Sequence, residues 1–126
     1  MDPTEDQIKA VSTAPRVTPA DIEANIVAEH YFTGTEGAMA RDLVARGSSA
    51  HGCAWTGDPL DLLTFCVLVL RNGFTVTGES ACASPENFDA EIGRKIARAN
   101  AVQKVWPLMG YQLKEVLFQS TTRAPE

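Results

Sequence analysis

The residues able to do chemistry in this chain are few and poorly spaced for it. Cys53, Cys66, Cys82, His30 and His51 together hold enough soft donors for one zinc ion. No paired short-spaced motif such as C-x-x-C joins them, however, and Cys66 lies in an apolar run where a thiol behaves as a small hydrophobe. We therefore expect no metal and no cofactor. A cysteine nucleophile needs its thiolate held near a base, and no local pattern ties either histidine to Cys82. Cys82 is still the thiol to watch, because it precedes a helix start, where backbone amides lower a thiol pKa. No G-x-x-x-x-G-K-[ST], H-E-x-x-H or G-x-S-x-G occurs, so the expectation is a protein without catalytic residues.

Three further groupings suit binding. The stretch Ser80-Ala81-Cys82-Ala83-Ser84-Pro85-Glu86-Asn87 joins a strand end to a helix start, where free amides attract anions. Against that, Ser84 is placed to cap those amides, and Glu86 and Asp89 already bring negative charge. Arg94 and Arg98, one helical turn apart, form an anion- or protein-binding edge or a solvated face paired with nearby acids. With Lys104 and the rings of Phe88 and Trp106, they complete the candidate binding set Ser80, Cys82, Asn87, Phe88, Arg94, Arg98, Lys104 and Trp106. Gly93, Ala97 and Ala101 repeat every fourth residue. Such a small face serves close packing, on the chain's own sheet by preference or across a homodimer.

The whole-chain properties narrow the partners. With 126 residues, 44% hydrophobic and 21% charged, the chain suffices for one core and has no room for a second domain. A formal charge of −5 repels a phosphate backbone at long range and disfavours nucleic acid as a partner. No apolar run reaches the roughly 18 residues of a membrane helix, and the opening residues lack a secretory signal. Three cysteines, an odd number, suit free thiols. The expectation is a protein of the cytoplasm.

The elements that position these residues read as an α+β fold. Residues 1–16 are polar and form a mobile arm, and residues 119–126 a frayed tail. Thr18-Pro19-Ala20-Asp21 opens a helix expected to run to about Glu29, with Val17 and Ile22 in staple positions. His30-Tyr31-Phe32 suits a short extended piece, Thr33-Gly34-Thr35-Glu36-Gly37 a break, and Met39, Leu43 and Val44 a short helix stopping at Gly47. Asp58-Pro59-Leu60-Asp61 suits one helical turn. Thr64-Phe65-Cys66-Val67-Leu68-Val69-Leu70 and Phe74-Thr75-Val76-Thr77 then make a β-hairpin about an Asn72-Gly73 turn. A two-residue turn sets Val69 opposite Val76, which gathers Phe65, Val67, Val69, Phe74 and Val76 on one apolar face. A long amphipathic helix from Ser84-Pro85, with Phe88, Ile92, Ile96, Ala99 and Val102 or Trp106 as its stripe, is expected to cover that face and to end at Pro107. A short C-terminal helix follows, through Leu113, Val116 and Leu117. A lone hairpin is weak, so a third strand comes from elsewhere in the chain or from a second copy.

The combined run of residues 63–82, Pro85-Glu86-Asn87-Phe88-Asp89-Ala90-Glu91-Ile92-Gly93 and Asn100-Ala101 through Lys104-Val105-Trp106-Pro107-Leu108 with Gly110-Tyr111 resembles a widespread family of small phage and prophage proteins, gene product 49/gene 66-like. The resemblance covers residues 17–32 and 62–113 within a single domain of residues 17–118, and leaves 34–57 as a variable insertion. It implies a mobile-element accessory protein of the host cytoplasm. Such proteins commonly bind and block a host or anti-phage defence protein, in the manner of an anti-CRISPR inhibitor, and that is the leading expectation. The alternatives are a binder that sequesters a signalling nucleotide and a small enzyme with a Cys82-dependent site. A homodimer or higher homo-oligomer fits the small helix face.

Overall fold

The computed structural model describes residues 5–7, 14–46 and 58–122. Most of the expected arm at 1–16, the part of the insertion beyond Arg46 that carries His51 and Cys53, and the last residues of the tail lie outside these. Three antiparallel strands, β1 (Ile26–Thr33), β2 (Leu63–Leu70) and β3 (Thr75–Ala81), lie in the order β1-β2-β3. The short helices α1 (Pro19–Asn25), α2 (Gly34–Arg46) and α3 (Asp58–Asp61) flank them, a 3-10 turn spans Pro85–Asn87, and the helix α4 (Ala90–Thr122) lies across one sheet face. The architecture is α+β, with the missing strand supplied by the chain itself.

The start of α1 follows from its sequence. Thr18 accepts from the Asp21 amide at 3.1 Å while Asp21 accepts from the Thr18 amide at 2.9 Å, a reciprocal cap. Those bonds, the Thr18 amide first, hold the Asp21 carboxyl below its usual range. The helix ends at Asn25 and not near Glu29, because the β-branched pair Ile26-Val27 turns into β1 and Asn25 takes another task. Both its backbone carbonyl (2.9 Å) and its Oδ1 (3.1 Å) accept from the Arg71 amide at the hairpin turn. A second reciprocal cap stands where a break was expected. Thr33 Oγ1 accepts from the Glu36 amide at 3.1 Å and Glu36 Oε1 from the Thr33 amide at 2.9 Å, so α2 begins directly at Gly34.

The hairpin register differs from the expected one by a single residue. The Leu70 amide donates to the Phe74 carbonyl and the Gly73 amide to the Leu70 carbonyl, both at 2.8 Å, giving a three-residue loop in which Gly73 takes φ +91°. This is a turn followed by a left-handed glycine, the usual three-residue solution. Leu68 therefore faces Val76, and Val69 faces Thr75. A slip of one residue exchanges the faces of a strand. Val76 joins Cys66, Leu68 and Leu70 in the core, while Phe65, Val67 and Val69 stay half-buried on the opposite face.

Helix α4 covers the face of Cys66 and Leu68, and contacts it through a different stripe from the expected one. Gly93, Ala97, Ala101 and Val105 are buried, whereas Ile92 and Ile96 remain about half exposed. The reason lies in β3. A β-carbon on Gly78 would fall within the shells of the Ala97 carbonyl oxygen and the Ala101 amide nitrogen, and 2.9 Å from Ala101 Cα. Only glycine under alanines lets helix and strand backbones come this close. Ile22 of α1 closes one side of the core, with Val17, Ile26, Tyr31, Val102, Trp106 and Met109 packed around it. Each fully buried aliphatic such as Leu68 contributes about 1.5–3 kcal/mol.

Neither end of α4 lies where the sequence suggested. Ser84 caps nothing: its hydroxyl donates to Glu86 Oε2 at 2.9 Å, and the following turn is 3-10. Asp89 does the capping, accepting from the Ile92 amide at 3.1 Å. Pro107 lies inside the helix and does not end it, so α4 runs unbroken to Thr122 with no separate C-terminal helix. The proline removes one backbone donor, a cost of about 3 kcal/mol relative to alanine. Val105 and Trp106 before it and Met109 after it all pack on the core, and this burial holds the helix through the defect.

A charged clamp fastens α4 to the first half of the chain. The Arg98 guanidinium donates to both oxygens of Glu23 on α1 (2.7 and 3.1 Å) and to both oxygens of Glu29 on β1 (3.1 Å each). Tyr31 adds a 2.7 Å hydroxyl bond to Glu29. Arg98 first and Tyr31 second hold the Glu29 carboxyl below its usual range, while burial and the bond to Glu29 push the Tyr31 phenol up. Burial likewise raises the neighbouring Cys66 thiol.

Two outcomes follow from the packing and the clamp. Gly78→Ala should lower unfolding free energy by about 3 kcal/mol, the upper end for overpacking, while Gly110→Ala, where an added β-carbon meets nothing, should raise it by up to about 1 kcal/mol. Urea titration of both variants measures the contrast. The stability that Glu29 adds is present above its unfolded pKa and lost as pH falls through its lower folded value. Arg98→Met should therefore cost about 2 kcal/mol at pH 7 and flatten the decline of stability below the ordinary glutamate range, as urea midpoints at pH 7 and pH 3 would show.

Candidate functional site

Where β1 ends, α2 starts and α4 begins, the three elements enclose a recess of about 180 Å³. Tyr31, Phe32 and Thr33 at the end of β1, Thr64 of β2, Glu36 of α2, Phe88 just before α4 and Arg94 on α4 line it, with the Phe88 ring lying against Gly93. The packing of α4 places each of these. Gly93 lies over Thr64, with an added β-carbon 3.1 Å from Thr64 Oγ1, so the first turn of α4 rests on the start of β2 and carries Phe88 and Arg94 to the rim. The Phe32 ring stacks on Phe65 at 5.4 Å between centroids and lies against Gly37 of α2, which fixes the opposite wall.

The two arginines one turn apart have different fates. Arg98 spends four of its five N–H donors on Glu23 and Glu29, whose two carboxylates already offset its charge. Arg94 is exposed and lies within ion-pair distance of no carboxylate among the described residues. Glu36 shares its recess, yet the two stay more than 4.0 Å apart, and Glu36 is anchored from outside by the Thr33 amide. An arginine beside aromatic rings and hydroxyls can hold a phosphate or carboxylate in a bidentate grip while the rings take a planar group.

Of the residues nominated from sequence, only Phe88 and Arg94 meet here. Ser80 is half-buried on β3, paired with Thr64 but not on the recess wall. The Cys82 amide donates to the Leu62 carbonyl at 3.0 Å and its Sγ to the Ser84 carbonyl at 3.2 Å. The Asn87 amide donates to the Ser84 carbonyl at 3.2 Å and closes the 3-10 turn, where the Glu86 backbone amide first and the Ser84 hydroxyl second hold the Glu86 carboxyl below its usual range. Lys104 and Trp106 lie about 15 and 18 Å further along α4 at 1.5 Å per residue, too far to join. Gly93, Ala97 and Ala101 are buried against the chain's own sheet, and Asn100 beside them donates to the Glu79 carbonyl on the β3 edge at 2.8 Å.

Sequence reasoning missed Tyr31, Phe32, Thr33, Glu36 and Thr64. One signal for them exists: Thr33-Gly34-Thr35-Glu36 is a capping-box pattern, and reading it as a helix start would have placed Glu36 beside the end of β1. Among the described residues no group of three or more His, Cys, Asp or Glu side chains is arranged to hold a metal, and no helix is long and apolar enough to cross a membrane.

A second apolar surface lies at the other end of α4. At 33 residues the helix is about 50 Å long, against about 26 Å for an eight-residue strand, so its later turns pass beyond the sheet. There Tyr111, Val116 and Phe118 are more than half exposed, and Leu70, Phe74, Leu108 and Met109 line a shallow recess at the hairpin tip.

No curated protein and no solved structure matches this chain. One family model does, over residues 17–117, from α1 and both caps to the turns of α4 beyond Pro107, and on that match the chain belongs to the phage protein (N4 Gp49/phage Sf6 gene 66) family.

Proposed function

We propose that this phage protein is a non-catalytic binder of a small anionic heteroaromatic molecule, of the nucleotide class, and that it acts by sequestering that molecule. One observation carries the reading: Arg94, with no acid in ion-pair range among the described residues, lines a recess together with the aromatic Phe88. The guanidinium takes the phosphate, Phe88 takes the base, and no nucleophile or metal is involved. The recess is smaller than the roughly 300–1,000 Å³ of drug-sized sites, which suits one ring system inside and the phosphate at the rim. Sequestration of a signalling nucleotide is a task that suits a phage accessory protein, and membership of a phage family supports it by association.

The second reading is a protein inhibitor that docks on a host or defence component. Its support is the projecting part of α4, where Tyr111 and Phe118, seven residues apart, offer an apolar helical face of the kind that seats in a partner's groove.

A thermal-shift screen across mononucleotides and cyclic nucleotides separates the two. At a hundredfold excess over Kd, a ligand adds about 2.7 kcal/mol to the folded state, a rise on the order of 10 °C for a domain of this size. Arg94→Ala should weaken that ligand about ten- to a hundredfold and leave the unliganded midpoint nearly unchanged. If no nucleotide shifts the midpoint, and Tyr111→Glu abolishes co-purification of a host protein that wild type retains, the second reading holds instead.

A further inference from the structure

Resting on the ligand reading above, we infer that the recess selects guanine among the bases, with Glu36 as the residue that reads it. Two opposite charges line one small cavity without pairing, Arg94 from α4 and Glu36 from α2. An anion alone would satisfy Arg94 and be repelled by Glu36. The arrangement suits a molecule that carries its negative group at one end and hydrogen-bond donors at the other, with a planar body against Phe88.

Glu36 is built for this task. The Thr33 amide donates to its Oε1 at 2.9 Å, which fixes the carboxylate and leaves further lone pairs on both oxygens. An ionised carboxylate only accepts, so it pairs with a base edge that only donates toward it. Guanine presents N1–H and the N2 amino group side by side, two donors matched to two oxygens. Adenine and cytosine place a ring-nitrogen lone pair beside their amino group, and uracil flanks its single N–H with two carbonyls, so each sets an acceptor against the carboxylate. Discrimination thus comes from repulsion as well as attraction.

Titration calorimetry of the full-length protein with GMP, AMP, CMP and UMP tests this. Wild type should favour GMP by about tenfold or more, the scale of one good bidentate base contact. Glu36→Gln keeps the helix cap, since glutamine serves the same capping position, and circular dichroism should confirm an unchanged fold. In that variant the GMP preference should vanish while the weaker binding of the other nucleotides persists through Arg94. Nucleotide binding with no base preference, or a GMP preference that survives Glu36→Gln, overturns this inference and leaves the ligand reading standing. Absence of binding by every nucleotide overturns both.

Discussion

The rest of the structure depends on how closely one helix approaches one strand. The helix backbone at Ala97 and Ala101 lies so near Gly78 that no β-carbon fits between them. Away from this point the contact row enlarges along α4: Gly93, Ala97 and Ala101 are followed by Val105, Met109 and Leu113, each four residues on. A row that grows from glycine to leucine describes a helix that touches the sheet at its start and rises from it toward its end, because packing at constant density requires larger side chains as the gap opens. The same tilt sets the first turn on Thr64 and sends the last turns past the sheet edge. Both the recess and the projecting apolar segment are therefore consequences of one close approach.

That placement also decides what each charge does. Arg98 lies at the closest approach, between Ala97 and Ala101, on the flank facing α1 and β1, where Glu23 and Glu29 meet it with four hydrogen bonds. A half-buried guanidinium held this way is a structural fastener, and its rigid fork explains why lysine would be a poor replacement. Arg94 rides on the same helix one turn earlier, over the sheet's end, and the two glutamates are already engaged. The clamp thus leaves the neighbouring arginine without an ion-pair partner among the described residues and holds the helix that carries it.

Much of this was legible in the residues, and the failures have specific causes. Thr18 and Asp21 announced the first cap, and the β2 run and the Asn72-Gly73 pair announced the hairpin. The extended character of residues 30–32 was visible, but the strand that contains them was shortened because Ile22 and Ile26 continue a helical spacing that tertiary pairing with β2 overrides. The break expected after Phe32 is a helix start, since glycine signals compete with a capping box only the fold reveals. Pro107 was taken as a stop, and the burial around it wins over the missing donor. At the recess, local sequence pointed to Phe88 and Arg94 because they border a helix start. The opposite wall comes from a strand end more than fifty positions earlier, a pairing beyond local pattern.

The most instructive failure is the choice of sheet face. By hydrophobicity alone, Phe65, Val67 and Val69 make a better core than Cys66, Leu68 and Leu70, and the helix was expected above them. Two small residues reverse that preference. Gly73 adopts φ +91°, which makes the loop three residues long and moves β3 by one position relative to β2. The move brings Val76 and Gly78 beneath the helix and leaves Thr75, Thr77 and Glu79 on the far side with Phe65 and Val67. Gly78 then permits an approach that no position on the other face allows, since every β3 residue there carries a side chain. Burial is thus allotted by backbone access as well as by apolar area, and the two glycines that grant it lie on one short strand and its turn.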